Sequence, residues 1–443
     1  MQDDILTLDN FIELVKKYHP IAKQADIQID KSGAELLAAK GIFDPTFQWE
    51  ASNKTFDNRK YYNYNNRELK IPLPVGNVRA GLENNGGDFL FSEISRGRTS
   101  YLGAELPLAK GFLIDKRRAV LQQAKIFTGQ STQERLIILN DLLFESYVAY
   151  VEWAGAYQKY IAYSRFVEIA DKRLRLVRIA FTNGDRALMD TTEAYTQLQQ
   201  YQLLQTDAFL KWENAGIELS NYLWKENDSI YLLEVNGRPE YLQADNEIVD
   251  INVTDLITQS TLQNPSLKIY DYKLNSLEVE RKLKLQNLLP YFSVKANLLN
   301  KEYNVFKNVN PLFLENNNKW GVEFKIPLFL KEARGDYKLT QLKIKETNLD
   351  LLYKRQQTEN KIRTYLNQYE AIRKQLKIAQ SMYRNYENLL RNEEMRFAQG
   401  ESSLFLINSR EMKLIEILQK QIAFILELHK VKYAVEWAAG ILK

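Results

Sequence analysis

From Trp320 to Leu328 every second residue is bulky and apolar: Trp320, Val322, Phe324, Ile326 and Leu328 alternate with Gly321, Glu323, Lys325 and Pro327. A period of two predicts a strand with one apolar face. After Pro327 the pattern becomes helical and stays helical. The same alternation recurs where Phe292, Val294, Ala296 and Leu298 interleave with Ser293, Lys295 and Asn297, and where Phe47, Trp49 and Ala51 interleave with Gln48, Glu50 and Ser52; Leu102, Ala104 and Leu106 form a further strand. Elsewhere the step is three or four residues. Leu136, Leu139, Leu143, Tyr147, Tyr150, Ala154, Tyr157 and Ile161 make one such stripe and Ile415, Leu418, Ile422 and Ile425 another, both with the look of a coiled-coil seam.

The ten prolines stand at positions 20, 45, 72, 74, 107, 239, 265, 290, 311 and 327, so 108–238 and 328–443 are free of them. Long proline-free tracts predict long helices. Each tract is broken once, at "RIAFTNGDRALMD" (178–190) and "EMRFAQGESSLFL" (394–406), where a phenylalanine is followed three residues later by a glycine and then an acid. A glycine can end one helix and a tight turn start the next, so each tract reads as a helical hairpin. The rising arm from Leu108 to Phe181 would be 74 residues long, roughly 110 Å if unbroken.

The halves read as copies. Pro20 and Pro45 match Pro265 and Pro290 at an offset of 245, the prolines at 107 and 327 match at 220, and Phe181 and Gly184 match Phe397 and Gly400 at 216. Ordered landmarks at a slowly drifting offset predict a tandem duplication whose unit is helix, strands, helical hairpin. The strand interval is 37 residues in the second copy and 62 in the first. Each copy shows two clear strands, four per chain, and the additional residues of the first, with the turn signal "NNGGD" (84–88), predict an extra hairpin or an extended loop. Four strands leave two open edges, which closure with other copies would remove. The apolar face would then meet lipid and the polar face a water-filled lumen, with Tyr61, Tyr62, Tyr64, Tyr101, Tyr291 and Tyr303 suited to an interfacial belt.

The duplicated unit, with "HPIAKQADIQIDKSGAELLAAKGIFDP" (19–45), "GAELPLAKGFLIDKRRAVLQQAK" (103–125) and the paired "RIAFTNGD" and "MRFAQGES", resembles the outer-membrane efflux protein (TolC) family over essentially the whole chain. The resemblance implies a mainly α protein with a membrane β-barrel: a homotrimer in which each chain gives four strands to a twelve-stranded barrel and its helices to a tunnel crossing the periplasm. The first repeat would run 5–222 (helix 5–43, barrel strands and loops 44–106, helical hairpin 107–222). An equatorial segment at 223–253 would follow, then a second repeat at 254–441 (helix 254–289, barrel strands 290–327, helical hairpin 328–441). Carried over position by position, the hairpin tips that dock a periplasmic adaptor fall on Phe181, Gly184, Phe397 and Gly400, and the periplasmic gate on Asp190, Glu193, Leu406 and Ser409. The family often has acids where this chain has Leu406 and Ser409. The implied function is a passive exit duct in the bacterial outer membrane, serving a tripartite efflux pump or a type I secretion system and working through the adaptor with an inner-membrane transporter.

Composition bears on this in a few places. Sixty basic and fifty-six acidic residues leave a net charge of +4 with the signs interspersed, which argues against a nucleic-acid partner. The absence of cysteine excludes disulfides, thiolate metal sites and a thiol nucleophile. No apolar run approaches the ~18–20 residues of a spanning helix. The chain opens "MQDDILTLDN" without an apolar leader, so it is either cytoplasmic or has lost a secretion signal. His19 and His429 lack companion ligands at metal spacing and are assigned structural roles. Asp115, Arg117 and Arg118 open a helix, as a solvated first turn or as a contact to lipid headgroups or another subunit. No catalytic motif stands out, so neither enzyme activity nor a cofactor or metal is expected. The competing function is a soluble coiled-coil scaffold with a small sheet; a third, an outer-membrane enzyme, has no clustered catalytic residues behind it.

Overall fold

The computed structural model describes residues 5–231, 237–243, 253–303 and 317–442. In chain order these form β1 (Ile5–Leu6), α1 (Leu8–Tyr18), α2 (Pro20–Gly41), β2 (Thr46–Phe56), β3 (Arg59–Pro72), β4 (Asn77–Gly86), β5 (Gly97–Pro107), α3 (Lys116–Thr182), α4 (Leu188–Ser220), β6 (Arg238–Pro239), α5 (Val253–Gln263), α6 (Pro265–Gln286), β7 (Tyr291–Lys301), β8 (Asn318–Lys325), α7 (Lys331–Ala398) and α8 (Leu404–Ala439). The helices of the two halves correspond one to one. α1 and α5 have 11 residues each, α2 and α6 have 22, and α3 and α7 have 67 and 68.

The helices expected at 5–43 and 254–289 are each interrupted, and for one reason. Proline lacks an N–H and excludes helical geometry from the residue before it, so His19 is extended (ψ 133°) and α2 starts at Pro20. His19 and its counterpart Asn264 then cap the helices that follow. His19 Nδ1 accepts from the Ile21 N–H at 3.2 Å, and Asn264 Oδ1 accepts from the Ser266 N–H at 2.9 Å. Burial lowers the basicity of the His19 imidazole, outweighing a hydrogen bond with the Asn221 backbone, and favours the neutral ring that this acceptor role needs. The long arms start later than expected, at Lys116 and Lys331.

The chain divides into two compact units that cut across the sequence repeats, because each draws on both halves. The first comprises Met1–Gln28, Gln133–Lys268 and Tyr353–Lys443. Its core is helix on helix. Phe11, Val15, Leu143, Tyr150, Val151, Ala154, Leu219 and Val431 are buried in one cluster, and Phe166, Leu174, Val177, Leu198, Tyr201, Leu404 and Ile407 in another. Of the predicted seams, Leu143, Tyr150, Ala154, Ile415, Ile422 and Ile425 are buried, whereas Leu136 and Ile161 face outward. The buried Tyr150 hydroxyl donates to the Leu6 carbonyl at 2.6 Å and accepts from the Glu240 N–H at 3.2 Å, flanking the parallel pair β1–β6. Within the expected equatorial segment, Trp224 and Ile230 form an isolated bridge; residues 232–236 and 244–252 lie outside the described residues.

The second unit comprises Ile29–Thr132 and Ile269–Leu352 and contains a six-stranded antiparallel sheet in the order β2-β3-β4-β5-β7-β8. Among the described residues the count of four strands is therefore corrected to six. The first copy contributes four, since the additional residues build the extra hairpin, β3 and β4, rather than an extended loop. The register joins Phe47, Leu69, Ala80, Leu102 and Leu298 in one row, and Ile71, Val78, Ala104, Ala296 and Trp320 in the next. Apolar residues thus share one face across all six strands. An ion-pair ladder crosses the other face: Glu68–Arg79 (3.9 Å), Arg79–Glu105 (3.1 Å), Glu105–Lys295 (3.5 Å) and Lys295–Glu323 (3.7 Å). Residues 304–316, part of the expected strand region 290–327, lie outside the described residues.

Two further expectations change here. Tyr62, Tyr64, Tyr101 and Tyr291 take the register positions of the polar face, where Tyr62 and Tyr64 stack at 4.6 Å and Tyr101 donates to Glu68, so they do not form an outward belt. The apolar face carries Phe47, Trp49, Trp320 and Phe324 instead. Asp115, Arg117 and Arg118 are not a solvated first turn either. The Arg118 guanidinium donates to the carbonyls of Gly111, Phe112 and Leu113, and Arg117 to Asn77 Oδ1 (3.0 Å) and the Gly76 carbonyl (3.3 Å) beside the β3–β4 turn. Asp115 caps α3 by accepting from the Arg118 N–H at 2.9 Å. Burial alone would raise its pKa, but the hydrogen bonds from Arg118 and Arg117 outweigh that and hold the carboxyl below its ordinary value.

Candidate functional site

The two helical hairpins turn in the same way. At the first, Gly184 is left-handed (φ +85°), its N–H donates to the Phe181 carbonyl at 2.9 Å, and the Asp185 N–H reaches the Ala180 carbonyl at 2.9 Å. At the second, Gly400 has φ +79°, with the matching bonds to Phe397 (3.1 Å) and from Glu401 to Arg396 (2.9 Å). Both are Schellman closures, which use the last free carbonyls of a helix and demand a residue that tolerates positive φ. A Cβ added at either glycine would meet nothing within 4 Å, so conformation rather than crowding selects glycine there. After each turn an extended residue, Ala187 or Ser403, opens the descending helix without a side-chain cap.

The predicted gate positions follow directly. Asp190 and Leu406 occupy equivalent places in the first turns of α4 and α8, their N–H groups donating to the Ala187 and Ser403 carbonyls at 3.1 and 3.2 Å. An acid suits the first turn of a helix electrostatically, which favours Asp190 independently of any gate. Asp190 and Glu193 are half-buried, while Leu406 and Ser409 are exposed. Glu193 Oε1 accepts from Asn408 Nδ2 at 3.0 Å, which ties α4 to α8. Of the tip residues, Phe181 is exposed and Phe397 half-buried.

Two features of this region go beyond the expectations drawn from the sequence. Arg186 sits over the Phe397 ring, 4.1 Å from its centroid, and donates to the Phe397 carbonyl at 3.3 Å, joining one tip to the other. Beside them lies a groove of about 440 Å³ lined by Leu176, Ala180, Arg186, Phe397, Ala398 and Ile407. Farther along the helices, Arg173 forms a bidentate pair with Glu411, Nη1–Oε2 at 2.7 Å and Nη2–Oε1 at 3.0 Å. Glu411 also accepts from the Tyr201 hydroxyl at 2.8 Å, and Glu394 approaches Arg173 at 3.5 Å. α3, α4, α7 and α8 thus meet at one polar cluster. Burial works against the charge on Arg173, but the bonds to Glu411 overcome it and raise its basicity; burial and the Glu411 charge push the Tyr201 phenol up. Burial likewise raises Glu394 against the pull of Arg173.

Among the described residues no group of three or more His, Asp or Glu could hold a metal ion, and no helix is long and apolar enough to cross a membrane. His429 Nε2 lies 2.9 Å from the Gln243 carbonyl, which accepts a hydrogen bond from the ring.

No protein-family model matches this chain, and no curated protein matches it. Solved structures do. The outer-membrane channel OprN is 13% identical, with a TM-score of 0.70 and 98% of this chain and 89% of that one covered. The outer membrane protein VceC of Vibrio cholerae is 13% identical at a TM-score of 0.66, with 98% and 96% covered. The CmeC outer membrane channel of Campylobacter jejuni is 16% identical at 0.65, with 98% and 85% covered.

Proposed function

We propose that this chain, which has the fold of the outer-membrane channels it matches, forms with two further copies a passive exit duct in a bacterial outer membrane. The observation that carries the reading is the sheet. Its apolar face leaves Phe47, Trp49, Trp320 and Phe324 at 70%, 65%, 73% and 63% exposure, a cost no sheet in water would bear on that scale, while its other face carries the ion-pair ladder. Lipid outside and water inside satisfy both faces.

At the helical hairpins, Gly184 and Gly400 with Phe181 and Phe397 form the surface for a helical hairpin of a periplasmic adaptor, through which an inner-membrane transporter delivers cargo for efflux or type I secretion. Ile179, Leu188, Met189, Met395 and Phe405 are exposed around these turns and supply the apolar surface such a contact needs. Asp190, Glu193, Leu406 and Ser409 line the constriction that closes the duct.

A photo-crosslinking residue placed at Asp185 or Glu401 in the native cell tests the docking assignment. The expected product joins this chain to a second envelope polypeptide, and Gly184→Trp or Gly400→Trp, which force a bulky side chain into positive φ, should abolish it while leaving assembly intact. Crosslinking confined to copies of this chain would count against an adaptor site there.

A further inference from the structure

We infer that the barrel closes with eighteen strands, β2 of each copy pairing antiparallel with β8 of the next. The inference rests on the threefold assembly proposed above and concerns what that assembly is made of. β2 and β8 are the two ends of the sheet, and every residue of β8 and nearly every residue of β2 is exposed. Among the described residues no strand lies on the outer side of β2 or of Lys319–Lys325 in β8, so each presents a row of backbone donors and acceptors, and neither strand carries a proline that would blunt it. Because the sheet has six strands with each neighbour antiparallel, β8 runs opposite to β2, so the next copy's β2 can continue the ladder without a change of pattern.

The side chains match as well. Phe47 and Trp49 on β2 lie on the same face as Trp320, Val322 and Phe324 on β8, with Gln48, Glu50 and Ser52 opposite, alongside Lys319, Gly321 and Glu323. Pairing the two edges therefore continues an apolar surface outside and a polar one inside. The strands beyond the expected four obey the same rule over the halves next to the β3–β4 turn; farther along, the apolar face also carries Asn63, Asn65 and Arg67 of β3 and Asn84 of β4. β3 turns Leu69 and Ile71 to the apolar face and Asn66, Glu68 and Lys70 to the polar one, and β4 turns Val78, Ala80 and Leu82 outward and Asn77, Arg79 and Glu83 inward. The ladder from Glu68 to Glu323 runs through them without a break. A hairpin lying outside the barrel would have no reason to keep this alternation. Diameter grows roughly linearly with strand number, so the barrel would be about 1.5 times as wide as a twelve-stranded one, in the size range that leaves an open aqueous channel.

The natural absence of cysteine makes the test clean. Paired substitutions such as Gln48→Cys, Glu50→Cys or Ser52→Cys in β2 with Lys319→Cys, Gly321→Cys or Glu323→Cys in β8 place thiols on one face, and four strands separate them within a chain, so oxidation can link them only between copies. Covalent dimers and trimers on a denaturing gel are expected for at least one register, with none for Asn77→Cys or Glu83→Cys in β4 paired with β8. Linkage of β4 to β8, which would leave β2 and β3 outside a twelve-stranded barrel, overturns the inference, as does a trimer by mass in which no β2–β8 pair links. A monomeric mass removes the threefold assembly itself. Strand counting in a density map of the unsubstituted protein decides the same point without any variant: eighteen supports the inference and twelve overturns it.

Discussion

Replacing Glu411 by leucine should cost about 3–5 kcal/mol of folding stability, because it leaves the Arg173 guanidinium buried without its bidentate partner. The side chains of Arg173 and Glu411 are only 12% and 1% exposed, so water cannot take over. Arg173→Met should cost a similar amount, as the Glu411 carboxylate would keep only the Tyr201 hydroxyl and lose its counter-charge. Removing both charges together, Arg173→Met with Glu411→Leu, should recover most of the loss, since a well-packed apolar pair of similar volume is often neutral or better. Thermal unfolding of the detergent-held protein reads all three. Single substitutions costing under about 1 kcal/mol, as for a solvent-exposed pair, would show that the cluster does not hold the four helices together.

The second large effect is expected in ion conduction. Three copies would bring six carboxylates from Asp190 and Glu193 to one constriction, where they attract cations, exclude anions and repel one another. The isosteric pair Asp190→Asn with Glu193→Gln removes the charge and preserves the bond that Glu193 receives from Asn408. In planar bilayers the unsubstituted duct should conduct poorly and favour cations, with a permeability ratio on the order of 10 that falls toward ~1 in the double variant. Unchanged selectivity and conductance would make Asp190 an ordinary helix-start acid and Glu193 an inter-helix hydrogen-bond acceptor, with the gate elsewhere.

Prolines and glycines make most of the helical architecture legible. They forbid or require particular backbone geometry, so Pro20, Pro265, Gly184 and Gly400 mark breaks that the structure also has, with even the turn hydrogen bonds repeated between copies. Reading a helix through Pro20 ignores the constraint proline places on the residue before it. The strand count falls short for a different reason. On β3 the face that carries Leu69 and Ile71 also carries Asn63, Asn65 and Arg67, so the alternation fades midway and the segment does not stand out as a strand. "NNGG" has the composition of a turn, but Asn84, Asn85 and Gly86 end β4, and the departure begins at Gly87 (φ +122°). Residue type alone places the tyrosines in a belt, whereas register decides their face, and a shift of one position exchanges the two faces. The Arg173–Glu411 pair spans 238 positions and is invisible to local pattern. It does leave one trace: Ile407, Glu411 and Leu414 fall at seam spacing, and a charge at a seam position asks for a buried partner.

Whether this chain builds a continuous duct through a membrane is tested most directly by imaging the unsubstituted protein in lipid nanodiscs. Threefold particles are expected, in which the sheet of each copy sits in the lipid disc and a single water-filled lumen runs from the barrel into the helices. A protein that stays monomeric and soluble without detergent, with no lumen and no density in the disc, would contradict it.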